Sequence, residues 1–160
     1  MFTTIYLALQ LQVGIYTLPC VTVYPDHQEK ALLLAKTIYS EAGNQSEFGQ
    51  LAVGNVVLNR MDYFEQPLKK IIYAPNQFNG VYTKYFRRTP PEDVYNLAVQ
   101  VLSGYRPLDP DIMYFANTRI ATNKKWLKII KDNKAFTYQD HTFYSDPHVR
   151  MYYKVLNNEF

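Results

Sequence analysis

The chain contains one cysteine, Cys20, in 160 residues. No intrachain disulfide and no cysteine metal site can form from it. Its three histidines, His27, His141 and His148, show no His-x-x-x-His spacing, so neither a metal enzyme nor any cofactor is expected. Charge is also sparse, with 19% Asp, Glu, Lys and Arg and a net charge of +3. Nucleic-acid binding needs a denser basic stripe than this. The best candidate is Lys124, Lys128 and Lys131 on one helical face, with Lys125 and Lys134 nearby, and it reads as a solvated face. No nucleic-acid partner is expected. A long unbroken apolar run is missing too. Phe2 to Leu18 is mostly apolar, but Gln10, Gln12 and Gly14 interrupt it, which argues against a membrane span. It carries no Lys or Arg for a positive n-region and no small-x-small cleavage site follows, so it does not read as a signal peptide. Residues 1–18 are expected to pack on the domain or on a protein assembly partner. There is no internal repeat and no low-complexity tract.

Aromatic residues are abundant, with 15 Tyr and 9 Phe beside a single Trp. Hydrophobic residues make up 48% of the chain, which marks it as globular. The tyrosines fit either a Tyr-rich core and surface or a groove with aromatic walls and hydroxyl tips, the kind that holds sugars or peptides. The length fits one domain, over 26–160, preceded by the apolar segment and connector of 1–25.

Periodicity predicts a first helix over 28–42, with Ala31, Leu34, Ala35, Ile38 and Ala42 at helical spacing and Gly43-Asn44 ending it. A second helix is predicted over 47–61, with Ser46 as N-cap and Glu47 in its first turn. It is apolar nearly all round, as a central buried helix must be. Pro67 to Tyr73 reads as a short helix and 76–88 as a polar, aromatic loop. Thr89-Pro90-Pro91-Glu92-Asp93 starts another helix that runs to Ser103-Gly104. Met113 to Ala116 is a short apolar run, Lys124 to Lys131 a short helix, and His141 to Tyr144 a short strand. The fold class is mainly α with a small β part, in one domain.

Glu41 is the leading candidate for chemistry. It falls in the last turn of the first helix, where the carbonyl end of the dipole disfavours a carboxylate. Shielding by Tyr39 and Phe48 would raise its pKa in the same direction. A carboxylic acid kept neutral near neutral pH can protonate a leaving oxygen. An exposed helix-end glutamate with no role is the alternative.

The surrounding pattern sharpens this. Tyr39-Ser40-Glu41-Ala42 is followed by Gly49-Gln50-x-Ala52-Val53-x-x-Val56-Val57-Leu58-Asn59-Arg60, then Ile71-Ile72-Tyr73, Gln77-Phe78, Ala98-x-x-Val101-Leu102-x-Gly104, Met113-Tyr114-Phe115-x-Asn117 and His141-x-Phe143-Tyr144. This ordered set, over about 31–145, resembles the SleB-like cell-wall hydrolase family, the spore-cortex-lytic type of peptidoglycan enzyme. The resemblance implies a lysozyme-like, lytic-transglycosylase-like fold with a central buried helix and a sugar groove. It implies that Glu41 is the catalytic acid and that peptidoglycan glycan strands are the substrate, cut at the β-1,4 bond between N-acetylmuramic acid and N-acetylglucosamine. Gln77, Tyr114, Asn117 and Tyr144 are the polar groups expected around the sugar. Phe78 is either a stacking face or core, and His141 either a sugar contact or a packed strand residue. The resemblance also implies a lone glutamate acting as acid and then as base, hence transglycosylation; Glu47, Asp111 and Asp140 are the unplaced carboxylates that a hydrolase would recruit.

Two departures from the family pattern stand out. Gly43-Asn44-Gln45 replaces a charged stretch just after the Glu-Ala pair, and Gln139-Asp140 replaces Gly-Asn before the final histidine. The expected place of action is the cell envelope or outside the cell, or a phage particle. A structural or targeting role in a larger assembly, reusing a hydrolase fold, is the competing reading, motivated by the apolar segment 1–18.

Overall fold

A computed structural model describes residues 25–157. The apolar segment 1–18, Cys20 and the connector up to residue 24 lie outside the described residues. The first helix, α1, spans Pro25–Ala42, three residues earlier than the periodicity predicts. Pro25-Asp26 opens this helix rather than a connector: a proline at the first helical position gives up an N–H that has no intrahelical acceptor anyway. Asp26 then pairs with Lys30 one turn on, at 2.7 Å. The inner face of α1 (Ala31, Leu34, Ala35, Ile38 and Ala42) is buried.

The central element is α2, Glu47–Phe64, in which every residue from Gly49 to Arg60 is buried. Ser46 occupies the N-cap position but makes no side-chain cap bond; its hydroxyl bonds the Tyr138 hydroxyl at 2.9 Å instead. Gly54 lets α1 close on α2, since a Cβ there would lie 2.9 Å from Ile38 Cδ1. Glu65 ends the helix in the left-handed region, at φ 50°. Next come α3 (Leu68–Ile72), a 3-10 turn (Asn79–Tyr82) inside the expected loop, and α4 (Glu92–Leu102), entered through Pro90-Pro91. Gly104, at φ 102°, turns the chain after α4.

The remainder is a small sheet flanked by short helices. Strand β1 (Ile112–Ala116) is followed by α5 (Lys124–Ile130), β2 (Lys134–Tyr138), β3 (His141–Ser145) and α6 (Pro147–Leu156). The sheet is antiparallel in the order β1-β3-β2. Two of these elements, β2 and α6, are not predicted by the sequence pattern. β2 is largely exposed; it pairs with β3 along its length and stacks Phe136 on Phe143 with centroids 4.8 Å apart. α6 buries only Val149, and its start is marked by Asp146, whose carboxylate accepts from the His148 and Val149 amides.

Two apolar clusters meet at α2. One joins it to α1, α3 and α4; the other joins its Ala52, Val53 and Val56 to Leu108, Ile112 and Phe143 of the sheet side. The fold is mainly α with a small β part. A helix buried on all sides must also satisfy its own polar side chains. Asn55 Oδ1 accepts from the Leu108 amide at 2.8 Å, and Asn55 Nδ2 donates to Asn59 Oδ1 at 2.9 Å. Asn59 Nδ2 donates to the Asp109 and Ile112 carbonyls at 2.8 and 3.1 Å. Asn59→Ala strands two carbonyls and the Asn55 amide, so a loss of about 2–4 kcal/mol is expected in urea unfolding. A loss below about 0.5 kcal/mol would show that these bonds do not hold β1 in place.

Candidate active site

Glu41 lies one residue before the end of α1 and lines an open groove of about 810 Å³. The groove runs between the end of α1, the loop 75–80, and the end of β1 with the loop after it. Glu41 Oε1 accepts a hydrogen bond from the Gly80 amide at 2.5 Å. Gly80 is itself fixed through its carbonyl, which accepts from Thr83 Oγ1 at 2.7 Å and from Thr83 N at 2.9 Å. No side chain fits at this position. A Cβ would fall 2.5 Å from Ser40 Oγ, 2.8 Å from Glu41 Oε1 and 2.9 Å from the Ser40 backbone carbon. Burial pushes the Glu41 carboxyl above its ordinary range, and the Gly80 N–H partly offsets this. Phe48 takes no part in the shielding: it packs on Phe136 and Tyr138, and Tyr39 packs edge-on to Tyr85.

Gln77, Asn117 and His141 line the groove with Glu41. His141 is both a packed strand residue and a wall of the groove. It is buried edge-on to Phe115 at 5.1 Å, and its Nδ1 has no hydrogen-bond partner among the described residues. Burial holds it below the ordinary histidine pKa, which keeps the ring neutral at neutral pH.

Two expected sugar contacts are corrected, and the open choice for Phe78 falls to the core. Phe78 is 1% exposed and belongs to the α1–α4 core, so it presents no stacking face. Tyr114 and Tyr144 do not line the groove, because side chains alternate along a strand. Their neighbours Phe115 and Phe143 face α2, whereas these two tyrosines pack against Trp126, at 6.0 and 6.4 Å. The Tyr114 hydroxyl donates to Asp146 at 2.8 Å. Burial and this carboxylate push it up to about 12.

The unplaced carboxylates are also located. Glu47 is exposed at the start of α2, Asp111 pairs with Arg150 at 2.6 Å, and Asp140 holds Asn44 and Gln45. None of them lines the groove, and among the described residues Glu41 is the one acidic side chain there. No group of three or more His, Cys, Asp or Glu among the described residues is placed to hold a metal ion.

Several groove residues are not named as site candidates by the motif reading, chiefly Arg60, which stands in the motif without a role, and Asn79, Gly80 and Trp126. Arg60 carried a usable signal, as a lone cation ending a mostly apolar, buried helical run. Gly80 carried a weaker one, directly after Gln77-Phe78-Asn79.

With this geometry in view, the chain can be placed among known proteins. A family model described as Cell Wall Hydrolase matches residues 44–144, beginning just after Glu41, and the chain belongs to that family. A spore cortex-lytic enzyme of Bacillus cereus is 29% identical over 102 residues, covering 62% of this chain and 39% of the relative. The chain therefore spans well under two thirds of the length of such relatives. Among solved structures, the catalytic domain of the germination-specific lytic transglycosylase SleB from Bacillus anthracis superposes with a TM-score of 0.65 at 25% identity, covering 74% of this chain and 95% of that one. The catalytic domain of the Bacillus cereus SleB protein gives 0.63 at 26% identity, covering 74% and 91%.

A carboxyl whose folded pKa is raised holds its proton more tightly folded than unfolded. Its contribution to stability is full below the unfolded value of about 4.3 and is lost as pH rises through the folded value. Glu41→Gln is therefore expected to resist urea better than the native chain at pH 7, by a margin that shrinks as pH falls towards about 4. Equal margins at both pH values would mean that Glu41 is not desolvated.

Proposed function

We propose that this chain cleaves peptidoglycan glycan strands at the β-1,4 bond between N-acetylmuramic acid and N-acetylglucosamine, as a lytic transglycosylase with Glu41 as its acid and base. The observation that carries the reading is a single desolvated carboxyl in an open groove, within a cell wall hydrolase fold. The similarity to a catalytic domain described as a lytic transglycosylase supports the subtype. The family and that similarity favour an enzyme over a purely structural module.

The chemistry follows from the two carboxyl oxygens. Oε1 is occupied as an acceptor by the Gly80 N–H, so the proton resides on Oε2. Oε2 donates it to the glycosidic oxygen as the bond to the muramic C1 breaks with oxocarbenium character. The new carboxylate keeps the Gly80 N–H, which is worth more to the anion than to the acid. With no second carboxylate among the described residues on the groove wall to activate water, the same Oε2 takes the proton of the muramic C6 hydroxyl. O6 then closes on C1 to give a 1,6-anhydro ring, no water is consumed, and Glu41 is protonated again. Gln77 and Asn117 offer amides to acetamido groups, and Trp126 offers an aromatic face. The place of action on this reading is the cell wall.

Glu41→Gln should lower muropeptide release from purified walls by about 10²–10⁴-fold while keeping the fold. Walls cleared at the native rate by that variant would end this proposal. Mass spectrometry of the native products should show anhydro-muramic ends; reducing ends would make the chain a muramidase. Activity should fall as pH rises through the raised Glu41 value, because the acid must be protonated to act. Gly80→Ala keeps its N–H, but the added Cβ collides with Ser40 Oγ and Glu41 Oε1 and pushes that N–H off the carboxyl, so the alkaline limb is expected to move to higher pH.

A further inference from the structure

Arg60 is 6% exposed, yet no carboxylate among the described residues pairs with it. Its guanidinium is held by neutral groups only. Nε donates to the Met113 carbonyl at 2.7 Å and Nη1 to Gln77 Oε1 at 2.8 Å. The Phe78 and Tyr114 rings lie 5.1 and 5.2 Å from its Cζ. Burial lowers its pKa to about 10, which leaves it a cation at neutral pH. Nη2 has no protein acceptor among the described residues, and the side chain lines the same groove as Glu41. A buried cation kept without a counter-charge is unfavourable unless something else supplies the charge. Here the fork is oriented, desolvated and open towards the groove, which suits a planar anion.

We propose that Arg60, oriented by Gln77, is a recognition site for a carboxylate carried by the glycan strand beside the bond that is cut. This rests on the glycan-cleaving reading above. Two carboxylates of such a strand have the right chemistry: that of the lactyl ether on a peptide-free muramic acid, and that of a stem peptide attached there. In the groove the anion takes the place of the missing internal counter-charge and gains a charge-assisted bond from Nη2. An uncharged strand lacks that bond, so Arg60 sets a preference among wall substrates rather than taking part in the proton transfers.

Arg60→Met removes one of the bonds that hold β1 to α2 and can unfold the chain. Gln77→Glu is the better variant. It keeps the oxygen that Nη1 already reaches, and it gives Arg60 an internal carboxylate that competes with the ligand. Trp126, the single tryptophan, lines the groove and reports binding by its fluorescence. The full chain is titrated with N-acetylmuramic acid and its methyl ester, and with N-acetylmuramyl-L-alanyl-D-isoglutamine and its methyl ester. At least one acid is expected to bind about tenfold tighter than its ester, and Gln77→Glu to abolish the difference. A preference in the first pair identifies the lactyl carboxylate, and one in the second the peptide carboxylate. Equal binding of acid and ester in both pairs, no binding of either acid, or a preference that survives Gln77→Glu overturns the proposal. Muropeptide release without any acid preference leaves glycan cleavage standing and removes Arg60 from it. An acid preference without release does the reverse.

Discussion

The burial of α2 on every side is the constraint on which the rest of the structure depends. From Gly49 to Arg60 no residue of this helix reaches solvent freely, so each polar side chain in that stretch must find a partner inside the protein. Those partners are loops and strands. Gln50 donates to the Gln45 carbonyl in the turn before the helix, and Asn55 and Asn59 hold the Leu108–Ile112 segment. Arg60 fixes Met113 at the start of the sheet and Gln77 in the loop across the groove. The helix is thus both core and scaffold. Both walls of the groove hang from it, and the cost of burying amides and a guanidinium is offset by bonds that set where the walls stand.

The carboxyl of Glu41 shows the opposite economy. Desolvation makes its ionised form unfavourable, and the single Gly80 N–H offsets only part of this. At neutral pH such a group destabilises the fold that carries it. A site of this kind persists where a proton-holding carboxyl is useful, which is why strain and function tend to coincide. The glycine is what makes the compromise reachable, because any side chain at 80 would collide with Ser40 and with the carboxyl itself.

How much of this could be read from the sequence differs by element, for identifiable reasons. The helices α1, α2 and α4 carry strong periodicity and clear stop signals, and they stand where that periodicity puts them to within three residues. β2 and α6 carry little: one is an exposed edge strand and the other buries a single valine. Within the site, Glu41, Gln77, Asn117 and His141 meet in the groove, because helix ends and loops bring them there. Tyr114 and Tyr144 do not, and the reason is one of parity. Adjacent strand residues face opposite ways, and Phe115 and Phe143 are drawn to the α2 core, which turns both tyrosines away. A motif names the residues of a strand but not the face that each one serves. Phe78 was ambiguous in sequence because an aromatic beside polar loop residues fits a groove or a core equally well.

The two departures from the family pattern turn out to be partners. Gln45 Nε2 and Asn44 Nδ2 both donate to Asp140 Oδ2, at 3.2 and 3.4 Å, and the Asp140 amide returns a bond to Gln45 Oε1 at 3.3 Å. Gln139 Oε1 accepts from the Ser46 amide at 2.8 Å. The turn after Glu41 is therefore latched to the β2–β3 hairpin by neutral amides and one carboxylate, where the resemblance leads one to expect a charge beside the acid. The consequence is electrostatic. With no cation in that turn to favour the carboxylate, the proton affinity of Glu41 is left to burial and to Gly80. The remaining fixed cation on the groove wall is Arg60, whose guanidinium is already committed to Met113 and Gln77. Acid and cation are thus held independently in one groove: burial and one N–H set the proton affinity of the first, and neutral groups alone orient the second.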